Sequence, residues 1–401
     1  MRTTLLLGVA CLLSNAATQQ FVMYTPGGDD TSVERADPIV SPGNISQHVH
    51  QIFGSNAFAP EVSYESLQKA DCTTVADASN QGNAADNSIY WHPALYMEAS
   101  NGTGYIRVPT NGHKLYYKNA GTGTPRDPFE FPHGFRMLAG DPFLRAAHPN
   151  LQRQNITQWI CHQAVGMNQG TSGGFPTGVT NCPNVDGFNG AIHFPHCWNG
   201  GDFDPADPTA HVIYPSGDIE NGACPPSHPT RLPHIFIENT FNLDAVYDAV
   251  KPDSFVLSQG DASGYGWHFD FFSGWKDGAI PALLAQCPQG SYGNEDIGTC
   301  PNFEPRSTPA SECKLNTFFR ENVNSPGKNL PGCNPIVDTN PAPQYVPAPR
   351  GVSSTHCTLV ANGASSGNPP AKSSRTRGSK HSKTATAKRS KTSIAKTRTE
   401  S

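Results

Sequence analysis

Residues 104–118 read GYIRVPTNGHKLYYK, two short runs of strand-forming residues with a turn between them. Tyr, Ile and Val favour extended backbone, and Pro and Asn-Gly are typical of turns. The same alternation recurs at residues 211–215 (HVIYP) and 235–238 (IFIE), whereas only residues 61–70 and 280–286 are candidates for helices. We therefore predict a mainly β fold, a single elaborated sandwich or jelly-roll-like domain with long disulfide-pinned loops and few short helices.

The composition of the chain supports this fold class. The 401 residues include 38 glycines and 36 prolines, and only 15% are charged. Long amphipathic helices need runs of Ala, Leu, Glu and Lys, which are largely missing here, while Gly and Pro exceed their average usage. No internal repeat is evident, and the length of residues 20–340 suits one elaborated all-β unit.

The first residues of the chain predict export. Met1-Arg2 supplies a basic start, residues 5–13 form an apolar run, and residues 14–17 (SNAA) are small enough for cleavage. This pattern is typical of a signal peptide over residues 1–17, because the apolar run is too short to span a bilayer. We expect no membrane anchor, and we predict an extracellular protein, secreted or associated with a cell wall.

The cysteines agree with export. Cys11 lies in the predicted signal peptide and leaves ten others, an even number that implies disulfides in an oxidising compartment. No Cys-x2-Cys pair occurs, which argues against a zinc–thiolate site. Asn44, Asn101 and Asn155 each begin an Asn-x-Ser/Thr triplet and are candidate acceptors for N-glycans.

The composition changes towards the C-terminus. Residues 335–349 are rich in proline, and residues 367–401 contain ten Lys and Arg but one acidic residue. Such a segment cannot bury enough apolar surface to offset its ordering entropy, so we predict that residues 341–401 are a Pro/Ser/Thr/Lys-rich disordered basic tail. The tail's charge would suit nucleic acid, but the predicted export argues against a nucleic-acid partner. Adhesion to an anionic wall polymer, adhesion to the acidic body of the protein, and a solvated O-glycosylated extension stay open.

Histidines are the most informative side chains of this sequence. Thirteen of them lie between residues 48 and 268. Histidine can change its charge near neutral pH and is the commonest metal ligand. Because they lie among aromatic residues and prolines, we interpret those in patterned blocks as the lining of one pocket. These are His48, His50, His92, His193, His196, His211 and His228.

His48 and His50 predict half of a metal site. In a strand, side chains two residues apart point to the same face, and a third imidazole from elsewhere would complete a site for one divalent ion. His193 is the predicted third ligand, and His211 is another candidate. Alternatively, these imidazoles donate hydrogen bonds to loop carbonyls. A copper histidine brace is not expected, because cleavage of the predicted signal peptide would not leave a histidine first.

A polysaccharide lyase is one candidate function. Proton abstraction next to a uronate carboxyl group needs a base, often His or Tyr, and a cation that holds the acid group. Tyr90, His92 and His193 could supply the base, and the Arg136 guanidinium could bind the carboxylate. Together with His50, these are the predicted catalytic residues. Alternatively, Tyr90 belongs to a packed aromatic corner and Arg136 to an internal ion pair.

Two further functions stay open. A glycoside hydrolase needs two carboxyl groups beside the scissile bond, and Glu238, Asp270 and Asp202 with Asp204 are candidates. A non-catalytic structural protein of the wall would instead stack aromatic rings on sugars and bond the hydroxyl groups with histidines. All three functions involve contact with cell-wall or plant polysaccharide through a pocket lined by His, Arg and aromatic residues. The predicted binding residues are His196, His211, His228, Trp91, Trp198 and Trp267.

Several blocks of the chain resemble a fungal secreted family known only as domain of unknown function number nineteen ninety-six. The resemblance runs over about residues 30–290. It implies an exported, often fungal protein, in some members joined to wall-binding modules such as the WSC domain, and it implies no agreed reaction. The blocks that carry it lie at residues 36–50, 88–93, 131–137, 194–198, 228–233 and 264–270.

Overall fold

A computed structural model describes most of the chain between residues 19 and 342. The predicted signal peptide and residues 343–401 of the predicted tail lie outside the described residues, as do Cys11 and Cys357. The ranges described are 19–28, 30–150, 155–164, 167–179, 182, 187–288, 296–319, 321–324 and 328–342.

Two antiparallel sheets carry most of the structure. The first sheet has six strands, in the order β1 (Gln20–Tyr24), β8 (Thr110–Lys118), β17 (His234–Phe241), β13 (Phe188–His193), β11 (Thr157–Ala164) and β12 (Met167–Ser172). The second sheet has five strands, in the order β10 (Arg136–Gly140), β19 (His268–Phe272), β5 (Ile89–Pro93), β3 (Ile45–Gly54) and β2 (Ser32–Ala36).

Shorter strands and two α-helices lie around these sheets. One small sheet contains β15 (Val212–Ile213), β14 (Cys197–Trp198), β16 (Thr230–Arg231) and β9 (Thr124–Pro125). The others contain β18 (Val250–Leu257), β6 (Leu95–Ala99) and β7 (Tyr105–Arg107), and β20 (Pro305–Pro309) with β4 (Gln81–Asn83). The helices described are α1 (Tyr64–Leu67) and α2 (Ala279–Gln286).

The predicted fold class is confirmed. The chain is mainly β, and the two α-helices described lie at the positions that the sequence favours for helices. Residues 104–118 contain β7 and β8, but these two strands belong to different sheets. No helix in the described part of the chain is long and apolar enough to cross a membrane.

The main core lies between the first and second sheets. Because side chains alternate along each strand, every second one points inward. Each aromatic side chain buried there removes about 150–250 Å² of surface from water. The hydroxyl groups of Tyr90 and Tyr117 meet across the two sheets at 2.6 Å. The other inward-facing residues include Leu115, Ile235 and Ile237 from the first sheet and Phe53, Phe269 and Phe271 from the second.

The outer face of the second sheet is covered as well. Ile52, Trp91 and Phe272 project from this face and pack with Phe58 and Leu67 in a second apolar cluster. Strands β5 and β19 are therefore buried on both faces, which is why most of their residues are apolar. Any polar side chain on this face lies under a covering layer instead of in open solvent.

Disulfides pin the loops around the sheets, as predicted. Cys333 is disulfide-bonded as well, and the described pairs are Cys72–Cys313, Cys161–Cys182, Cys197–Cys224 and Cys287–Cys300. The Cys72–Cys313 bond joins residues 241 positions apart in the sequence, so it fixes the segment around Cys313 to the loop that follows α1.

Candidate functional site

The strand register of the second sheet brings three histidines together on its outer face. Strand β5 lies between β3 and β19, and Trp91 pairs with Ile52 on one side and Asp270 on the other. Two residues further along β5, Pro93 pairs with His50 of β3, but the pairing of β5 with β19 has already ended. Proline has no N–H to donate to a neighbouring strand. His268, two residues before Asp270, therefore faces His50 and His48 beyond the end of the paired region.

The imidazole triad (His48, His50 and His268) has the spacing of a metal site. One nitrogen from each ring lies within 4.8 Å of the other two. The Nε2 atoms of His48 and His268 are 3.2 Å apart, and the rings of His48 and His50 have centroids 4.2 Å apart. Two nitrogens bound to a tetrahedral ion at about 2.0–2.1 Å lie about 3.3 Å apart, so this pair already has the required separation.

Hydrogen bonds behind the triad fix the ring tautomers. His50 Nδ1 donates to the Ala36 carbonyl at 2.9 Å, and His268 Nδ1 donates to the Gly266 carbonyl at 2.8 Å. Each of these two rings then keeps a lone pair on Nε2, which is the usual arrangement of metal-bound histidines. His50 Nε2 and His48 Nδ1 are buried and have no hydrogen-bond partner among the described residues.

Burial keeps the triad neutral. It lowers the pKa of His50 to about 4 and that of His268 to about 3. Burial, and then the neighbouring His50 and His268, lower the pKa of His48 well below its ordinary value. A neutral imidazole has a free lone pair, so all three rings are in the form that binds metal at neutral pH.

Two buried carboxyl groups lie beside the triad. The Asp37 side chain accepts hydrogen bonds from the backbone N–H groups of Ile39 and Val40, both at 2.9 Å. Asp270 Oδ1 has no hydrogen-bond partner among the described residues. Burial raises the pKa of Asp37 to about 6, and burial together with the Asp37 charge raises the pKa of Asp270 well above its usual range.

Two residues of the triad, His48 and His268, line a cavity of about 420 Å³, whereas His50 lies behind them. His48, His268, Asp37 and Asp270 line it together with Arg145 and Gln259. The Arg145 guanidinium is held by the Asp261 carboxylate at 3.6 Å and by the Val337 carbonyl, to which Nε donates at 2.9 Å. The cavity therefore combines imidazoles, carboxyl groups, an amide and an arginine, with apolar side chains such as Leu138 and Phe143 completing its wall.

A C-terminal strap (residues 328–342) forms one wall of this cavity. Asn334 crosses over β3, because its Nδ2 donates to the Gln47 carbonyl at 3.1 Å and to the Ser258 carbonyl at 2.9 Å. The Val337 N–H donates to Gly260, and the Ala342 N–H donates to Phe143. Ala342, which lies within the predicted tail (residues 341–401), thus belongs to the cavity wall.

His193, the predicted third ligand, lies elsewhere. It is the last residue of β13 in the first sheet, and its Nδ1 lies 3.3 Å from His234 Nε2. The third imidazole beside His48 and His50 is instead His268. Strand alternation correctly places His48 and His50 on one face, but the residue that joins them depends on the order of strands in the sheet.

The structure does not bring Tyr90 and His92 to the cavity. Both are fully buried between the sheets, because inward-facing positions of β5 alternate with the outward-facing Trp91. The Tyr90 hydroxyl donates to Asp86 at 2.8 Å, and His92 Nε2 lies 3.2 Å from His113 Nε2. Neither side chain can contact a bound polymer from this position.

The predicted sugar-stacking tryptophans also differ from expectation. Trp91 and Trp267 are fully buried. Trp91 lies in the apolar cluster on the outer face of the second sheet, and Trp267 packs against Trp159. Only Trp198 of the three is partly exposed, and its Nε1 donates to the Gly201 carbonyl. The cavity is consequently lined by Phe143 as its aromatic residue and not by tryptophan.

The remaining predicted residues lie outside the cavity lining. The Arg136 guanidinium lies over the Phe203 ring at 4.4 Å from its centroid. His211 Nε2 donates to the Arg136 carbonyl at 2.8 Å, and His228 Nε2 donates to the Ala210 carbonyl at 3.0 Å. The alternative of imidazoles bonded to carbonyl groups therefore describes His211 and His228. His196 packs on His234, with ring centroids 4.6 Å apart.

Several cavity residues have no signal in the sequence that connects them to the triad. The alternation in His268-Phe269-Asp270 predicts that His268 and Asp270 share a face, and this is confirmed, but nothing local connects that face to His48. Arg145, Gln259 and Asn334 come from loops and from the strap, where no periodic pattern exists. Their contribution depends on tertiary packing alone.

Comparison with known proteins gives a family and no activity. A family model described as domain of unknown function (DUF1996) matches residues 37–275, more than half of the chain. The matched region begins at Asp37 and includes the triad and Asp270, whereas the strap lies beyond it. No curated protein and no solved structure matches the chain.

Proposed function

The chain belongs to the family described as domain of unknown function (DUF1996). We propose that it is a secreted, metal-dependent hydrolase of polysaccharide. The family description contains no reaction, so the proposal rests on the cavity. His48, His50 and His268 would bind one divalent transition-metal ion, and the cavity above them would bind a short stretch of the sugar chain.

The imidazole triad is the observation that carries this proposal. Its three ligand nitrogens lie within 4.8 Å of one another, and hydrogen bonds to Ala36 and Gly266 already orient two of the rings. Three histidine ligands leave a fourth coordination position for water, which is the arrangement of catalytic zinc sites. A metal-bound water has its pKa lowered to about 7 and becomes a nucleophile near neutral pH.

Asp270 is placed to assist the reaction. It projects from the same face of β19 as His268 and lines the same cavity, with one carboxyl oxygen that has no partner among the described residues. A hydrogen bond from that group would orient the attacking water or the departing oxygen. In hydrolysis the water oxygen bonds to the sugar carbon, the glycosidic C–O bond breaks, and a proton passes to the departing oxygen.

The lining of the cavity supports a polyhydroxylated ligand. Gln259, Asn334 and Arg145 provide polar groups at its wall, while Leu138 and Phe143 provide apolar surface. A volume of about 420 Å³ lies in the range of small-molecule sites. Sugars present hydroxyl edges and apolar ring faces, so this mixture of side chains matches them.

The disulfides and the surface support secretion. Disulfides form and persist in oxidising compartments such as the secretory route, and the described residues contain four pairs. The candidate glycan acceptors Asn44, Asn101 and Asn155 are all exposed. N-glycans at these positions would be compatible with the fold.

The test is incubation of the zinc-loaded and the chelator-treated protein with a panel of wall and plant polysaccharides. We expect new reducing ends from the zinc-loaded protein only. Substitution of a residue that hydrogen-bonds to a metal ligand typically lowers activity about 10–100-fold. The His268→Asn variant removes a ligand itself, so its activity should fall by more than this. His133→Gln, a change at an exposed imidazole outside the cavity, should keep full activity.

Other outcomes separate the alternative functions. Unsaturated ends that absorb ultraviolet light would show a lyase, and binding without products would indicate a structural wall protein. Either result would contradict the hydrolase proposal, as would activity that survives both chelation and His268→Asn.

A further inference from the structure

We propose that His193, His234 and Glu220 form a second metal site, on the face of the sandwich opposite the triad. This second cluster (His193, His234 and Glu220) goes beyond the proposed function and uses none of its residues. One ligand atom from each of its side chains lies within 4.8 Å of the other two.

The first sheet positions the two imidazoles of the second cluster. His193 ends β13 and His234 begins β17, and these strands are neighbours in the sheet. Ile192 and Ile235, the adjacent residues, point into the main core. Alternation therefore turns both imidazoles to the outer face of the first sheet, while the triad lies on the outer face of the second.

The spacing of the two rings suits a shared ion. His193 Nδ1 and His234 Nε2 are 3.3 Å apart, which equals the separation of about 3.3 Å that a tetrahedral ion imposes on two nitrogens. His234 is fully buried, and its Nδ1 has no hydrogen-bond partner among the described residues. An unpartnered buried nitrogen costs free energy that a bound ion or ligand would recover.

Glu220 supplies the third ligand from a loop that is held in place. The Cys197–Cys224 disulfide closes this loop, and the Asp218 side chain accepts a hydrogen bond from the Glu220 N–H at 2.9 Å. The Glu220 side chain is 25% exposed, so an ion can reach it from solvent. Two histidines and a glutamate form a common protein ligand set for zinc, with water in the fourth position.

Lys118 sets the strength of this site. Its Nζ lies 2.9 Å from Glu220 Oε1, which leaves the second carboxylate oxygen, Oε2, for an ion. The lysine charge also opposes a bound cation and so weakens zinc binding at the second cluster. Removal of that charge by Lys118→Met should raise the zinc affinity of the second cluster about tenfold or more.

The experiment counts zinc ions bound to the purified full chain in equilibrium dialysis. We expect two zinc ions for the wild type and one for Glu220→Gln and His193→Ala. Glu238→Gln changes a carboxylate on the same strand as His234 but outside the cluster, and it should keep both ions. Thermal unfolding of each variant confirms that the fold is retained, and Glu220→Gln, in a partly exposed loop, tests the site even if His193→Ala does not fold.

These variants test the triad and the second cluster independently of each other. If Glu220→Gln binds as many zinc ions as the wild type, or if Lys118→Met leaves every zinc affinity unchanged, the second site is refuted. His268→Asn should lose the triad ion and still bind one ion at the second cluster. A single wild-type ion that is lost in Glu220→Gln and kept in His268→Asn would support the second site and contradict the proposed function.

Discussion

At the scale of single residues, buried histidines of this chain have two different environments. His92 has both ring nitrogens close to partners, with Nδ1 donating to the Pro93 carbonyl at 3.0 Å and Nε2 3.2 Å from His113. His50 has one nitrogen bonded and the other without a partner among the described residues. Both are fully buried, so burial alone does not distinguish a core histidine from a candidate ligand.

A substitution at His92 tests this distinction. His92→Leu leaves His113 Nε2 buried without its partner, so the free energy of unfolding should fall by about 1–3 kcal/mol. Zinc content should stay as in the wild type, because His92 is not a ligand in this account. Urea unfolding and metal analysis of the same preparation measure the two quantities. Loss of zinc in a folded His92→Leu protein would place the core histidines in the metal site.

At the scale of strands and segments, the sequence predicts those features that follow from the pattern of side chains along a single element. It predicts the mainly β class, the two helices and the shared face of His48 and His50, because these depend on neighbours within a few residues. It does not predict that His268 lies beside His48, because this depends on β5 ending its pairing between β3 and β19. Nor does it predict the strap, which folds onto the cavity through single hydrogen bonds and has no periodic pattern.

The strap gives a prediction at this scale. Asn334→Ala removes the donor to the Gln47 and Ser258 carbonyls, which should cost about 1–3 kcal/mol of unfolding free energy. Hydrogen exchange of the amides in residues 328–342 should become faster. Ile336→Ala, on the same strap but 45% exposed, should change the unfolding free energy by no more than about 0.5 kcal/mol and leave the exchange rates as in the wild type. Equal effects of the two substitutions would show that Asn334 does not hold the strap.

At the scale of the whole molecule, neutral buried histidines make stability depend on pH. Burial lowers the pKa of His92 and His193 to about 3 and that of His196 to about 4, against an ordinary value of 6.5. The unfolded chain therefore binds more protons than the folded chain as pH falls below 6.5. A depressed histidine pKa in the folded state means that stability is present above 6.5 and is lost as pH falls towards 3–4.

We expect the chelator-treated protein to lose several kcal/mol of unfolding free energy between pH 7.5 and pH 6, since each such histidine contributes up to about 1.4 kcal/mol per pH unit. Asp30 and Asp37 act in the opposite direction, because burial raises their pKa to about 6 and the folded state gains protons below that pH. These two carboxyl groups offset only part of the loss from the histidines, so stability should continue to fall below pH 6. Denaturant unfolding at pH 7.5, 6 and 5 measures it, and constant stability from pH 7.5 to pH 6 would be inconsistent with neutral buried imidazoles.

Anomalous X-ray diffraction shows whether the imidazole triad binds a metal ion. Crystals grown with zinc are measured on both sides of the zinc absorption edge. We predict an anomalous peak about 2.0–2.1 Å from one ring nitrogen each of His48, His50 and His268. A zinc-bound crystal with no peak at these rings, and with His48 and His268 still in direct contact at 3.2 Å, would contradict it.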